Sequence, residues 1–276
     1  MATRPAEASG RATAVWVYGV ADASIEAAPL LAEAVGVDAS APIETVREGA
    51  LAAIVSRVTL DEFGEEPLKA NLEDLPWLEQ KALAHNAVLE RALAAAALVP
   101  FRFGTIFGDG DDVRRMLRDE RARLEEALAR LGGRVELGVK AVVDAEALAV
   151  RLRESNRHAA ELESAPPGRR YLLEKRRDQE TDRAAAAFRD ACARDSHTTL
   201  AGLADDARVN PPQRPELSGR RGDMILNGAY LVPREREDEL RSAVSELARR
   251  YGEDGVEFEL TGPWPAFNFV DDDDRR

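Results

Sequence analysis

Residues 14–20, close to the N-terminus, are rich in β-branched and aromatic side chains and are closed by Gly19 and Asp22. A short apolar run that ends in turn residues is typical of a buried β-strand. Two further apolar runs, residues 43–47 and 51–58, flank a Glu-Gly pair and predict a β-hairpin. We therefore expect the chain to build a sheet from its N-terminal part.

A helix is predicted next, over about residues 77–98. Proline precedes this helix, where a missing N–H is harmless, and Pro100 ends it. Its apolar residues recur at helical spacing and share one face: Leu78, Ala82, His85, Leu89 and Leu93. Residues 101–107 then alternate aromatic and other side chains, which predicts a strand. Residues 13–108 are thus predicted to form an N-terminal α+β domain after a disordered segment, residues 1–12.

Charged residues dominate one helix that is predicted in the second half of the chain. Ten of the fifteen residues 169–183 are charged, so this helix can bury little surface of its own. A Pro-Pro-Gly sequence separates it from a preceding helix, which Asp144 caps. The two helices are predicted to form a projecting helical hairpin over about residues 144–194.

The other elements of the second half predict a split βαβ order. An Asp-rich turn at residues 109–112 caps a single helix that continues to Leu131. The remaining elements are strands over residues 135–143, 224–232 and 256–260 and a helix over about residues 234–250. With the hairpin, the order is β-α-α-β-α-β. We therefore predict that residues 109–260 form a modified ferredoxin-like α+β domain with the hairpin inserted in its first crossover.

Composition limits the classes of function. Acidic residues exceed basic residues, 51 against 38, and give a formal net charge of −13, whereas nucleic-acid binding needs a surplus of Lys and Arg. No run reaches the ~18 apolar residues of a membrane span, and the first ten residues lack the apolar core of a secretory signal. The single cysteine, Cys192, excludes an intrachain disulfide. We expect a cytoplasmic protein that binds neither nucleic acid nor membrane.

The sequence contains no recognisable catalytic or cofactor motif. The P-loop, serine-hydrolase and zinc-protease signatures are absent, and the three histidines are too scattered to predict a metal site. On the apolar face of its helix, His85 is expected to be a hydrogen-bonded structural residue. Arg102 is expected to face away from the core, in a surface ion pair or at a partner. An enzyme that uses His85 and Arg102 is the least favoured alternative, and we predict no catalytic, cofactor-binding or metal-binding residues.

The last aromatic residues of the chain cluster together. Trp264, Phe267 and Phe269 lie within a ten-residue segment that also holds two prolines. The prolines exclude a helix or a central strand, so residues 261–276 are predicted to form an extended tail. We expect the tail to lie across the groove between the two domains, with Trp264 as its main anchor. Contact of these aromatics with a partner is the alternative.

Six segments, in the same order along the chain, resemble the GvpL/GvpF family of gas vesicle proteins. The segments are VWVYGV (15–20), HNAVL with VPFRFGTIF (85–89 and 99–107), ELGVK (136–140), RYLLEK (170–175), LNGAYLV (226–232) and TGPWPAFNFV (261–270). Together they span nearly the whole chain. At residues 266–267 the chain has Ala-Phe, where the family pattern has a proline and a tyrosine, so no role can rest on a tyrosine hydroxyl there.

The resemblance implies two α+β domains and a non-enzymatic accessory role in gas vesicle assembly, at the vesicle or in the cytoplasm. The expected partners are the very hydrophobic shell protein and other gas vesicle accessory proteins, and no cofactor is expected. The candidate partner-binding or interdomain anchors are Arg102, Tyr230, Trp264, Phe267 and Phe269. The alternative function is a ligand-sensing regulatory protein, because ferredoxin-like domains often pair around small molecules. A polar pocket between the domains would favour that alternative.

Overall fold

The computed structural model describes residues 12–27, 33–154, 166–212 and 222–270. Two compact units divide the chain. The first contains the residues up to Arg134 together with those from Pro265 onwards, and the second is Val135–Trp264. Both units combine helices with an antiparallel sheet, which confirms the mixed helix and strand content predicted for the chain.

The sheet of the first unit is built around the predicted N-terminal strand. Its strands are β1 (Thr13–Asp22), β2 (Ile43–Glu48), β3 (Leu51–Thr59), β4 (Leu98–Pro100) and β5 (Ile106–Phe107). The strand order is β2-β3-β1-β4, and β5 also pairs with β1. β2 and β3 pair antiparallel, which confirms the predicted hairpin. β4 approaches β1 so closely that a β-carbon on Gly19 would lie 2.7 Å from the carbonyl oxygen of Val99.

The α-helices described in the first unit are α1 (Leu60–Phe63), α2 (Glu65–Asn71), α3 (Leu75–Ala95), α4 (Gly110–Asp119) and α5 (Arg121–Leu131). α3 buries its predicted face against β1, where His85 and Leu89 join Trp16 and Tyr18. α4 packs on β2, and α5 packs on β1 and β4. These contacts place both helices in the first unit, so the division falls after Arg134 and not at the predicted residue 108.

The second unit contains β6 (Arg134–Val143), α6 (Ala145–Glu154), α7 (Pro167–Ala201), β7 (Asp206–Val209), β8 (Asp223–Pro233), α8 (Glu237–Tyr251) and β9 (Val256–Trp264). The strand order is β7-β8-β6-β9. One side of this sheet buries Leu137 and Tyr230 against Leu240 of α8. The predicted cap of α6 is confirmed, because a carboxylate oxygen of Asp144 accepts hydrogen bonds from the backbone N–H groups of the first helical turn.

Several predicted elements differ from the structure. Residues 101–105 form a turn between β4 and β5 instead of a continuous strand. The helix that was predicted to run unbroken to Leu131 is two helices, with Glu120 between them. The short strand β7 is absent from the prediction. β9 continues through Trp264, although the tail was predicted to begin at residue 261, because an edge strand tolerates proline.

The charged helix α7 is buried in one part and exposed in another. It has 35 residues and continues to Ala201, beyond the predicted end at residue 194. Ala185 and Cys192 are buried with Leu148 of α6, whereas none of the side chains described between residues 168 and 180 is buried. The first helix of the hairpin was predicted to continue to the Pro-Pro-Gly sequence at residues 166–168, and its part over residues 155–165 lies outside the described residues. The projecting hairpin therefore stays a prediction.

Candidate partner-binding site

Three of the six segments that carry the family resemblance meet in an aromatic cluster of the first unit. Trp16, in β1, belongs to the first segment. His85, in α3, and Phe103, in the turn after β4, belong to the second segment. The ring centroid of Trp16 lies 4.9 Å from that of Phe103 and 5.9 Å from that of His85, with the rings edge to face. Phe267, from the C-terminal segment, packs against the same buried core. Residues of the segments that resemble the family thus form the buried core against which the turn after β4 packs.

His85 is a hydrogen-bonded structural residue, as predicted. Its side chain is 2% exposed, and Trp16 Nε1 donates a hydrogen bond of 3.1 Å to its Nδ1. Because Nδ1 accepts, the ring proton belongs on Nε2, which lies 3.3 Å from the carbonyl oxygen of Phe101 and donates to it. Burial lowers the pKa of His85 from 6.5 to about 4, although the Phe101 carbonyl partly opposes this effect. The imidazole is therefore neutral at physiological pH and has no access to a substrate.

The turn that carries Arg102 is held by backbone hydrogen bonds. Phe101 N donates to the carbonyl oxygen of Tyr18 at 2.9 Å, and Val17 N donates to the carbonyl oxygen of Thr105 at 2.9 Å. Within the turn, Thr105 Oγ1 donates to the carbonyl oxygen of Arg102 at 2.7 Å. The Arg102 side chain is exposed beside the buried Phe101. The turn therefore presents a cationic side chain on a fixed backbone.

The three aromatics of the C-terminal segment differ in burial. Phe269 is 1% exposed, and Arg130 Nη2 donates a hydrogen bond of 2.8 Å to its carbonyl oxygen. Phe267 is half-buried, while Trp264, at the end of β9, is 37% exposed. Phe269 is thus the most buried of the three, and the role of Trp264 as the main anchor of the tail stays a prediction. The predicted position of the tail across the groove between the units stays a prediction.

Tyr230 lies inside the second unit. It is fully buried in β8, and its hydroxyl oxygen is 3.2 Å from Nδ1 of His197. Burial raises its pKa above the usual range for tyrosine. A side chain without exposed surface suits packing of this unit rather than direct contact with a partner.

An open cleft of about 460 Å³ lies in the first unit, and no spacing in the sequence indicates it. Glu44 and Arg57, from β2 and β3, line it together with Asp111 and Arg114 of α4. Arg114 Nη1 is 2.6 Å from Asp111 Oδ1. Because the charges around the cleft have both signs and two of them pair with each other, the lining does not select a charged ligand.

The described residues offer little for catalysis or metal binding. Within the described ranges, no group of three or more His, Cys, Asp or Glu residues is placed to hold a metal ion. Burial raises the pKa of the Cys192 thiol to about 11, so the thiol is protonated at neutral pH and is a poor nucleophile. No helix in the described part of the chain is long and apolar enough to cross a membrane.

The chain matches the family described as gas vesicle synthesis protein GvpL/GvpF over residues 14–271. Gas vesicle protein L of a Streptomyces strain is 39% identical over 230 residues, which cover 83% of each chain. Gas vesicle protein F of the same strain is 30% identical over 262 residues, covering 93% of this chain and 99% of that one.

Solved structures share the fold. The crystal structure of the gas vesicle protein GvpF from Anabaena superposes with a TM-score of 0.69 at 19% identity, covering 94% of this chain and 96% of that one. GvpF from Microcystis aeruginosa gives a TM-score of 0.60 and covers 94% and 99% of the two chains. From the match across nearly its whole length and the two Streptomyces relatives, the chain belongs to the GvpL/GvpF family of gas vesicle proteins.

Proposed function

We propose that the protein is a non-enzymatic accessory factor that assists gas vesicle assembly by binding the shell protein and other gas vesicle proteins, in the cytoplasm or at the vesicle. The observation that carries the proposal is the family match over residues 14–271. The buried, neutral state of His85 supports a role without catalysis, because a general acid or base must reach its substrate.

A physical argument supports the binding role. A shell subunit with a large apolar surface aggregates if that surface stays exposed to water, and a water-soluble partner suppresses aggregation by covering it. Among the predicted anchors, Arg102 and Trp264 have the exposure that direct contact needs. Phe269 and Tyr230 are buried, and we assign them to packing.

We also propose that the second unit is a modified ferredoxin-like domain. The described helices and strands follow the order β-α-α-β-β-α-β, which extends the split βαβ order by one additional helix. The strand β7 supplies the fourth strand of the sheet, which the sequence pattern does not predict. For the alternative function, a ligand sensor, no observation in the described residues provides specific support.

The proposal is tested by pulldown of the full chain against each vesicle component that is encoded with it. Binding of the shell protein or of another accessory protein is the expected result. If the correctly folded chain binds none of them, the proposed function is wrong.

Paired variants separate contact from packing. Arg102→Ala and Trp264→Ala should weaken partner binding with little loss of stability, since both side chains are exposed. Phe269→Ala should lower the thermal stability of the protein, because it removes a buried aromatic ring. Unchanged partner binding by both Arg102→Ala and Trp264→Ala would remove these residues from the binding surface, without affecting the proposal for the whole chain.

A further inference from the structure

The outward face of α3 exposes large apolar side chains. Leu75 is 74% exposed and Leu83 is 64% exposed, two turns apart on the same side of the helix. The face is continued by other exposed residues at spacings of three, four or seven: Glu79, Ala87, Glu90 and Ala94. We call these six residues the α3 outer face. From Leu75 to Ala94 it is about 28 Å long, at about 1.5 Å per residue.

Packing among the described residues of the first unit leaves these leucines exposed. The opposite side of α3 is held by buried residues, which are His85, Val88, Leu89, Ala92 and Leu93. The helix is therefore anchored whether or not Leu75 and Leu83 have a neighbour. Exposing two leucines on one rigid helix gains nothing for folding, so these side chains are available for an intermolecular contact.

The charged residues of the α3 outer face are both acidic. Glu79 and Glu90 are exposed, whereas the basic residues of the same helix, Lys81 and Arg91, have carboxylate partners. Lys81 is 13% exposed and donates to the carbonyl oxygen of Val37 at 2.8 Å. Its ammonium nitrogen also lies 2.9 Å from Glu62 Oε1, so it is already paired with a carboxylate. Arg91 lies 3.8 Å from Glu33. Glu79 and Glu90 therefore set the charge beside the exposed leucines.

We propose that the α3 outer face binds an amphipathic helix of another protein, whose apolar side packs on Leu75 and Leu83 and whose Lys or Arg residues pair with Glu79 and Glu90. A partner helix of about five turns matches the length of the face. Ala87 has a small side chain that lets two helices approach closely. An acidic partner is disfavoured, because like charges would meet beside the apolar contact. The inference rests on the proposed function in so far as that function requires protein partners.

The test uses the full chain and two synthetic helical peptides with the same leucine face, one with Lys and one with Glu on its other positions. We expect the Lys peptide to bind and the Glu peptide to bind at least about tenfold more weakly. Leu83→Glu should raise the Kd for the Lys peptide about tenfold or more. The matched control is Leu172→Glu on α7, because Leu172 is 65% exposed and Leu83 is 64% exposed. The control should leave the Kd unchanged.

A charge-reversed double variant, Glu79→Lys with Glu90→Lys, should shift the preference toward the Glu peptide. Three results would overturn the inference: equal binding of both peptides, an equal effect of Leu83→Glu and Leu172→Glu, or a dimer in sedimentation that Leu83→Glu dissociates. The last result would assign the face to a second copy of the chain.

A pulldown with vesicle components separates this inference from the proposed function. If wild type and Leu83→Glu bind these components equally, the α3 outer face is not their binding site, and the proposed function stands. If wild type binds none of them, the proposed function fails, and the peptide measurements alone decide whether the face binds a basic helix.

Discussion

Acidification should destabilise the first unit, because His85 is buried as a neutral ring. Its Nδ1 accepts the hydrogen bond from Trp16 Nε1, so a proton added there removes this bond and places a charge among aromatic side chains. The pKa of His85 is about 4 in the folded chain, against ~6.5 for an exposed histidine. The unfolded chain therefore takes up this proton at a higher pH than the folded chain does.

The sign and size of the effect follow from linkage. The unfolded chain binds more protons at this site between pH 6.5 and about 4, so the free energy of unfolding falls as the pH drops through this window. At about 1.4 kcal/mol per pKa unit, the loss is about 2 kcal/mol at pH 5 relative to pH 7 and approaches about 3 kcal/mol below pH 4. Above pH 6.5 the neutral His85 makes its full contribution to the free energy of unfolding.

The pH dependence is measured by urea unfolding at pH 7, 6 and 5, together with an NMR titration of the carbon-bound imidazole protons. His85→Asn is the matched control, because the amide oxygen of Asn can accept from Trp16 Nε1 but the side chain does not titrate. Wild type should lose about 2 kcal/mol more than the variant between pH 7 and 5. An imidazole pKa near 6.5, or parallel loss of stability in the two proteins, would refute the reasoning.

Three further predictions concern stability and are checked by urea or thermal unfolding. Phe269→Ala should cost about 3–5 kcal/mol, because the ring is 1% exposed, whereas Trp264→Ala should cost well under half of that. Equal losses of stability in the two variants would contradict the difference in burial between Phe269 and Trp264. Asp109→Ala should cost about 1 kcal/mol, since the Asp109 carboxylate accepts from two N–H groups of the first turn of α4. Gly19→Ala should cost about 1–3 kcal/mol, because its β-carbon would meet the Val99 carbonyl at 2.7 Å. An unchanged unfolding midpoint of Gly19→Ala would show that β4 shifts and makes room for the added methyl group.

Elements with a strong local pattern were predicted well. The hairpin of β2 and β3, the inward face of α3 around His85 and the cap at Asp144 all follow from side-chain spacing and turn chemistry within a few residues. The structural role of His85 followed in the same way, because a polar group on an apolar helix face must find a hydrogen-bond partner.

Elements that depend on distant contacts were predicted poorly. β7 has only four residues, and its short sequence lacks a strong strand pattern without the pairing that β8 supplies. The unit boundary moved to Arg134 because α4 and α5 pack on the first sheet, which no linker or change of composition marks. Residues 101–105 form a turn because Tyr18 and Val17 hold their two ends, although the alternation of aromatics suggests a strand.

By itself, the sequence determined the mixed helix and strand content, the main helices and strands and the family. Periodicity, capping and motif order are properties of neighbouring residues and of their order along the chain, so they can be read without a structure. Only the tertiary structure decided that Trp16 is the partner of His85, 69 residues away, and that Phe269 rather than Trp264 is the buried aromatic of the C-terminal segment. Burial and hydrogen-bond partners arise from packing between distant segments, and the order of residues along the chain does not specify which of two equally apolar side chains the core encloses.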